Sequence, residues 1–328
     1  MEPEKQAPVP YAPPATFTLK GYKPWVVTGA ALVAIVLFCG LNTEATPVTW
    51  ESYARWGAPS SVDILNGAYW GLISSNFVHL AFWHLGFNLY WFWILGRKIE
   101  FEQGAGFMAV LLLTAAFVSS TAEFALGQST GMGLSGVVYA FFGFIFTSGL
   151  TNSRYAGFLV SKLVWQFVGW LFFCLLLTAT NVWQVGNAAH FAGLAWGAAV
   201  AWLYQRRKAV RYGLGILVLA GLSVPLFWAP WSVLWLSNKA YTAHTANDVP
   251  MARHYYRLIL QKEPANQFAL SNLNFLRIDE LSKQAELAFK QQQIPKAQQL
   301  CRQILKLQPA NEWALAMLSA SAGSPVQQ

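Results

Sequence analysis

The sequence predicts an all-α polytopic membrane protein: a helical bundle with a six-span core, one extra C-terminal span and a soluble α-helical, repeat-like tail. Three observations predict it. The chain of 328 residues is 55% hydrophobic and only 11% charged, against roughly a quarter charged in soluble domains. Sixteen Trp suit a protein with long membrane–water interfaces, where Trp collects. Apolar runs long enough to cross a bilayer recur as far as Leu236, and the composition then turns polar. The net charge of +8 does not indicate nucleic acid. Arg97-Lys98 and Arg206-Arg207-Lys208 lie just outside apolar runs, the positive-inside pattern rather than a binding stripe. The three cysteines, Cys39, Cys174 and Cys301, form no CxxC pair and no disulfide framework.

Residues 1–24 are Pro-rich and polar and read as a disordered cytoplasmic lead, without the layout of a cleavable signal peptide. The core, 25–205, opens with a span at Trp25–Leu41. A mixed stretch from Asn42 to about Asn76 reads as a large loop at the membrane surface. Span two occupies about Leu80–Ile99, span three Phe107–Leu126, and span four Ser135–Leu150. No formally charged residue lies between Lys162 and Arg206, a stretch too long for one helix. It breaks at Thr-Asn-Val-Trp-Gln-Val-Gly-Asn (180–187) into spans five and six. Residues 206–237 form a basic linker and a seventh span at Gly213–Leu236, containing Pro225 and Pro230.

Lys20, Lys23, Arg97, Lys98, Arg154, Lys162 and the 206–211 cluster fall on one side if the N-terminus is inside, leaving Arg55 as the only Lys or Arg in the intervening outside loops. This places the N-terminus in the cytoplasm of a multi-pass integral membrane protein, assigned to a bacterial inner (plasma) membrane. An odd number of spans puts the tail, 238–328, outside. In that tail Pro250–Asn266 repeats as Pro295–Asn311, with Ala252 matching Ala297 and Pro264 matching Pro309. The pattern resembles the second helix of a tetratricopeptide repeat, but its 45-residue spacing exceeds the usual period of about 34. A plain helical hairpin is the competing reading. A repeat tail would take a peptide or protein partner.

Polar groups inside spans are costly and are functional candidates. The first set is Gly131-Met-Gly133-Leu-Ser135-Gly136-Val-Val-Tyr139, which starts span four. Alone it reads as a helix-terminal serine beside small packing residues. It is not the nucleophile elbow of soluble hydrolases, because Val137 stands where that turn needs Gly. The second set is His190-Phe-Ala-Gly193-Leu-Ala-Trp-Gly197, which starts span six. Gly193 and Gly197 form a close-packing face, and His190 lies on it, so a neighbouring helix is pressed against the imidazole. A lone His there could be structural, but a Ser at the same depth favours a dyad. The third set is His79-Leu-Ala-Phe-Trp-His84-Leu-Gly-Phe-Asn88, where His84 and Asn88 share a helical face. Metal binding has little support: there is no HExxH and no carboxylate at ligand spacing.

As a set, in this order and on these helices, the three motifs closely resemble the rhomboid protease family over roughly Trp25–Tyr204, and Leu95–Glu100 resembles the family's exit from span two. The resemblance implies an intramembrane serine endopeptidase using no cofactor, no metal and no nucleic acid. Ser135 would attack the scissile carbonyl and His190 would take its proton, with no third acidic member. Asn88 and His84, with the Ser135 N–H, would hold the oxyanion. Tyr139 would stack on the histidine, Gly133 and Gly136 belong to the serine motif, and His79 would be mainly structural. Substrates would be single-span membrane proteins drawn from the lipid bilayer. Many relatives carry Arg where Gly71 stands here. The alternative is an inactive relative that binds membrane-protein clients without cutting them, although such relatives typically lose the Ser or the His. A channel or transporter would show charged residues or repeated halves in its spans; there are no repeated halves, and Glu123 is the only acidic residue within spans three to six.

Overall fold

The computed structural model describes residues 21–127 and 129–322; of the lead at 1–24, all but the last four residues lie outside that range. The chain divides into two compact units at Ser232–Val233.

The first unit opens with α1 (Trp25–Leu41). The stretch after it folds as three short helices, α2 (Trp50–Arg55), α3 (Ser61–Leu65) and α4 (Gly71–Ser74), and a 3-10 turn at Ser75–Phe77. Glu44 ties this stretch together. Its carboxylate accepts from Ser52 Oγ at 2.7 Å, Trp56 Nε1 at 2.7 Å and Arg55 Nη1 at 3.1 Å. The hydrogen bond from Ser52, then that from Trp56, holds the carboxyl below its ordinary pKa. Gly71 packs without a side chain: a Cβ there would run into the Pro59 ring. Anchoring falls to Glu44 and to Ser74 Oγ, which donates to the Gly57 carbonyl at 2.6 Å.

The long helices follow: α5 (Phe82–Gln103), α6 (Ala105–Gly127), α7 (Ser135–Gly149), the short α8 (Ser153–Ala156), α9 (Ser161–Ala179), α10 (Asn187–Tyr204) and α11 (Lys208–Phe227). In α7 every residue from Gly136 to Ile145 is buried. A helix apolar on all sides belongs in the middle of a bundle, and α7 is the helix the others surround. In contrast α9 buries one residue per turn, Leu163, Phe167, Leu171 and Cys174, and exposes Trp165, Phe172 and Leu176. Three helices, α6, α9 and α11, are long and apolar enough to cross a membrane, and α1 and α7 are shorter apolar helices. Outward apolar faces of this extent need lipid around them, so the protein is an integral membrane protein.

The last long helix of this unit spans Lys208–Phe227, where the sequence suggests 213–236. The basic cluster supplies its first turns. Its end is set at Trp228, whose backbone is extended, two residues before Pro230; a proline disfavours helix in the residue preceding it. Pro225 sits inside the last turn. Beyond the end, Trp231 Nε1 donates to the Ala125 carbonyl of α6 at 3.1 Å, and Phe227 packs against Tyr69.

The second unit begins at Val233 rather than 238. It contains α12 (Val233–Thr245), α13 (Val249–Lys262), α14 (Gln267–Lys290), α15 (Ile294–Leu307) and α16 (Glu312–Ala322), each packed on the next. The 45-residue repeat is carried into three dimensions. Ala252, Tyr256 and Ile259 of α13 are fully buried, as are Ala297, Cys301 and Ile304 of α15. Asn247 and Gln292, one before each repeat helix, both take φ 59°. Asn266 caps α14 by accepting from Ala269 N–H, and Asn311 accepts from Ala314 N–H in the same way. The long period comes from α14, whose 24 residues separate the two copies. Arg253 joins α13 to Glu280 of α14 at 2.6 Å, and that hydrogen bond holds the Glu280 carboxyl below its ordinary pKa.

Candidate active site

Each residue singled out as catalytic or oxyanion-binding lies in an early turn of a long helix. Ser135 is the first residue of α7 and His190 the fourth of α10; His84 and Asn88 occupy the first two turns of α5. The contact between α7 and α10 brings two of them together. A Cβ on Gly193 would strike the Gly136 carbonyl, and one on Gly197 the Ala140 carbonyl. Backbone therefore meets backbone, as small residues at a membrane helix interface allow. On the other side of α7, a Cβ on Gly136 would lie 2.6 Å from Ser119 Cβ of α6.

With the helices this close, Ser135 Oγ lies 2.8 Å from His190 Nε2. When the hydroxyl donates, the ring nitrogen is unprotonated and the imidazole proton sits on Nδ1. Nδ1 has no hydrogen-bond partner among the described residues. His190 is 2% exposed, and the Tyr139 ring lies over it at 4.8 Å and 35°. The Tyr139 hydroxyl donates to the Phe167 carbonyl of α9 at 3.1 Å.

His79 acts as a bracket. Its Nε2 accepts from Asn88 Nδ2 at 3.0 Å and from Leu134 N–H at 3.3 Å. Two donors on Nε2 leave the proton on Nδ1, which lies 3.2 Å from the Phe77 carbonyl. The ring thus holds Asn88 on α5 at a set distance from the residue before Ser135. One amide hydrogen of Asn88 goes to His79, and the second remains for another acceptor. Gly133 has φ 111°, which favours glycine. A Cβ there would fall 2.7 Å from His84 Cε1 and 3.1 Å from Asn88 Nδ2. Its missing side chain leaves open the point where His84 and Asn88 converge beside Ser135.

A cavity of about 140 Å³ opens from this point between α5, α7 and α9. Ser135, Asn88 and Tyr139 line it together with Phe87, Phe167 and Trp170. The Phe87 and Trp170 rings meet at 4.6 Å. Motif reading does not single out these aromatic residues, because Phe and Trp on an apolar helix look alike whether they face lipid or a cavity. Nor does it find Trp183. In the connection between α9 and α10, Trp183 lies 4.7 Å from Trp83 and 5.8 Å from His84, covering the imidazole. The break at 180–187 is the only sequence signal for it.

Fold and site together define a class: a membrane-embedded helical bundle holding a serine and a histidine in hydrogen-bond contact beside a small, largely apolar cavity. Comparison with known proteins narrows it. Residues 66–207 match the family described as Rhomboid domain. Two curated relatives, each called rhomboid protease GlpG and from two strains of Klebsiella pneumoniae, are 33% identical over 148 residues. The match covers 43% of this chain and 51% of each relative, so the chain spans about half the length of the curated relatives it matches.

Proposed function

We propose that this chain is an intramembrane serine endopeptidase that hydrolyses peptide bonds in or near the transmembrane segments of single-span membrane proteins. The 2.8 Å contact between Ser135 Oγ and His190 Nε2, inside a rhomboid domain, carries this reading. Ser135 Oγ attacks the carbonyl carbon while its proton passes to His190 Nε2. The carbonyl oxygen becomes an oxyanion facing the free amide hydrogen of Asn88, the His84 ring and the Ser135 N–H. The tetrahedral intermediate collapses as His190 gives the proton to the departing amine. Water, deprotonated by the same nitrogen, then releases the acyl group from Ser135. The buried pair needs only these two members: the hydroxyl holds His190 on one side and the Tyr139 ring on another.

The chain would cross the bilayer seven times. In support, α11 starts beside the end of α10, and the residues just after it fasten to Ala125 at the end of α6 that lies nearest the serine motif. The polar tail would then emerge outside and could hold the exposed part of a substrate. Cys301 is fully buried, so a thiol test needs another position. An impermeant reagent should label Gln291→Cys in intact cells whose own cysteines have been replaced; protection until lysis would place the tail in the cytoplasm.

The activity is tested by reconstituting the full chain in liposomes with a single-span substrate bearing small residues at the cut. Wild type should release two fragments, and Ser135→Ala and His190→Ala none. Equal cleavage by Ser135→Ala would refute the assignment.

A further inference from the structure

The helix that carries His190 begins without a cap of its own. Gly186 precedes α10 and has no side chain to accept from the first-turn N–H groups, which an α-helix leaves unpaired. In this bundle another helix meets them. Glu123 of α6, only 7% exposed, accepts the Ala189 N–H at Oε2 at 3.1 Å, and the Ala188 N–H donates to the same carboxylate. Ala189 is the residue immediately before His190.

The carboxylate fits only because glycines surround it. A Cβ on Gly127 would collide with Glu123 Oε1, and one on Gly186 would come within 3.3 Å of Oε2. One on Gly131 would lie 3.5 Å from Glu123 Cγ. Gly131 opens the run that ends at Ser135. One buried side chain therefore caps the turn that carries His190 and lies beside the loop that delivers Ser135. No other acidic residue lies between 105 and 204, so nothing nearby could substitute.

We infer that Glu123 is a positioning residue: by capping α10 from α6, it sets the height of His190 against Ser135. The inference rests on the protease reading given above. The bundle contains a built-in control. Glu100 of α5 caps α1 in the same manner, accepting from Val26 N–H at 3.0 Å and Val27 N–H at 2.9 Å, but α1 carries none of the site residues. The two carboxylates share a chemistry and differ in what the capped helix holds.

The test uses the full chain in liposomes with the single-span substrate, and rates are taken per folded protein as judged by thermal melting and gel filtration. A small error in placing the base costs rate rather than binding, so Glu123→Ala should lower kcat by about tenfold or more with KM within about twofold. Glu123→Gln keeps an acceptor oxygen and should stay within about threefold of wild type. Adding Gly186→Ser to Glu123→Ala supplies a local acceptor, and the shortened side chain leaves room for the new Cβ. That double variant should recover most of the lost kcat. Glu100→Ala should lower the melting temperature and leave kcat per folded protein unchanged. Wild-type kcat in Glu123→Ala would overturn the inference, as would a change confined to KM, or a folded double variant that stays slow. If Glu123→Ala does not fold, the double variant decides: recovery of both fold and kcat supports the role, and recovery of fold alone refutes it. Failure of wild type to cleave would remove the protease reading and this inference with it, whereas cleavage by wild type and Glu123→Ala alike would sink only the latter.

Discussion

Two walls of the same site are built in different ways. On one, α7 and α10 touch through backbone, with Gly193 on the Gly136 carbonyl and Gly197 on the Ala140 carbonyl. On the other, α5 and α9 meet through rings: Phe87 on Trp170 at 4.6 Å and Trp91 on Phe167 at 5.0 Å. Ser135 and His190 are held by the first wall, and the cavity is lined from both, by Ser135 and Tyr139 of α7 and by Phe87, Phe167 and Trp170 of the second. Backbone contact leaves no rotamer to turn, whereas a ring can swing aside at little cost. On the proposed protease reading, the comparison puts the chemistry on the side that cannot move and would admit a substrate chain on the side that can.

The comparison can be broken from either wall. The largest effect is expected at the backbone contact. Gly197→Val puts two methyl groups where the Ala140 carbonyl stands, and overpacking of this kind costs about 1–3 kcal/mol. Cleavage should fall by about a hundredfold or more, because an ångström of misplacement at the reacting atoms has that effect. Normal cleavage by Gly197→Val would show that the close approach is not what holds the pair.

Next comes the polar rim between the walls. Asn88→Ala removes the proposed oxyanion donor and one donor to His79. Loss of such a donor typically costs about a hundredfold in kcat, and KM should stay within about threefold if the contact tightens only in the transition state. An effect confined to KM would assign Asn88 to substrate positioning.

A smaller change is expected at the aromatic wall. Phe87→Ala with Trp170→Ala removes a ring pair worth about 0.5–1.5 kcal/mol beyond its buried area. Acylation of Ser135 by a small fluorophosphonate should then remain within about threefold of wild type, since the dyad does not depend on those rings. A loss as deep as that of Gly197→Val would erase the distinction between the walls.

The smallest effect lies away from both. Glu44 is held below its ordinary pKa by Ser52 and Trp56. Its contribution is therefore complete above the unfolded carboxylate range, near about 4.3, and is lost as pH falls through the lower folded value. Protease protection of residues 44–56 should be flat from neutral pH to about 5 and weaken only below about 4. Weakening between pH 6 and 7 would point to another group.

Much of this arrangement was visible in the sequence, for a physical reason. A buried polar residue in an apolar run has few roles available, so Ser135, His190, His84 and Asn88 each stood out, and their offsets placed them in early turns. The glycines at 193 and 197 likewise announce a close approach before any partner is known. What stayed hidden were contacts made by residues with many possible roles. Phe87, Phe167 and Trp170 could as well have faced lipid. Trp183 lies in an irregular connection with no period to read. Glu123 was noticeable as the sole acid of its region, but its partners are backbone N–H groups, which leave no trace in side-chain patterns. The start of the last long helix of the membrane unit was misplaced because its first turns are basic, and hydropathy alone begins that helix at Gly213. The tail showed its 45-residue repeat openly, while the burial of Cys301 became evident only with α15 packed between its neighbours.

The central claim is that Ser135, activated by His190, is the nucleophile. It is tested most directly by the intact mass of the full chain in liposomes after exposure to a fluorophosphonate. Wild type should gain a single adduct, mapping to Ser135, and His190→Ala should acquire it at least about a hundredfold more slowly. An adduct at another residue, or the same rate without His190, would contradict the account.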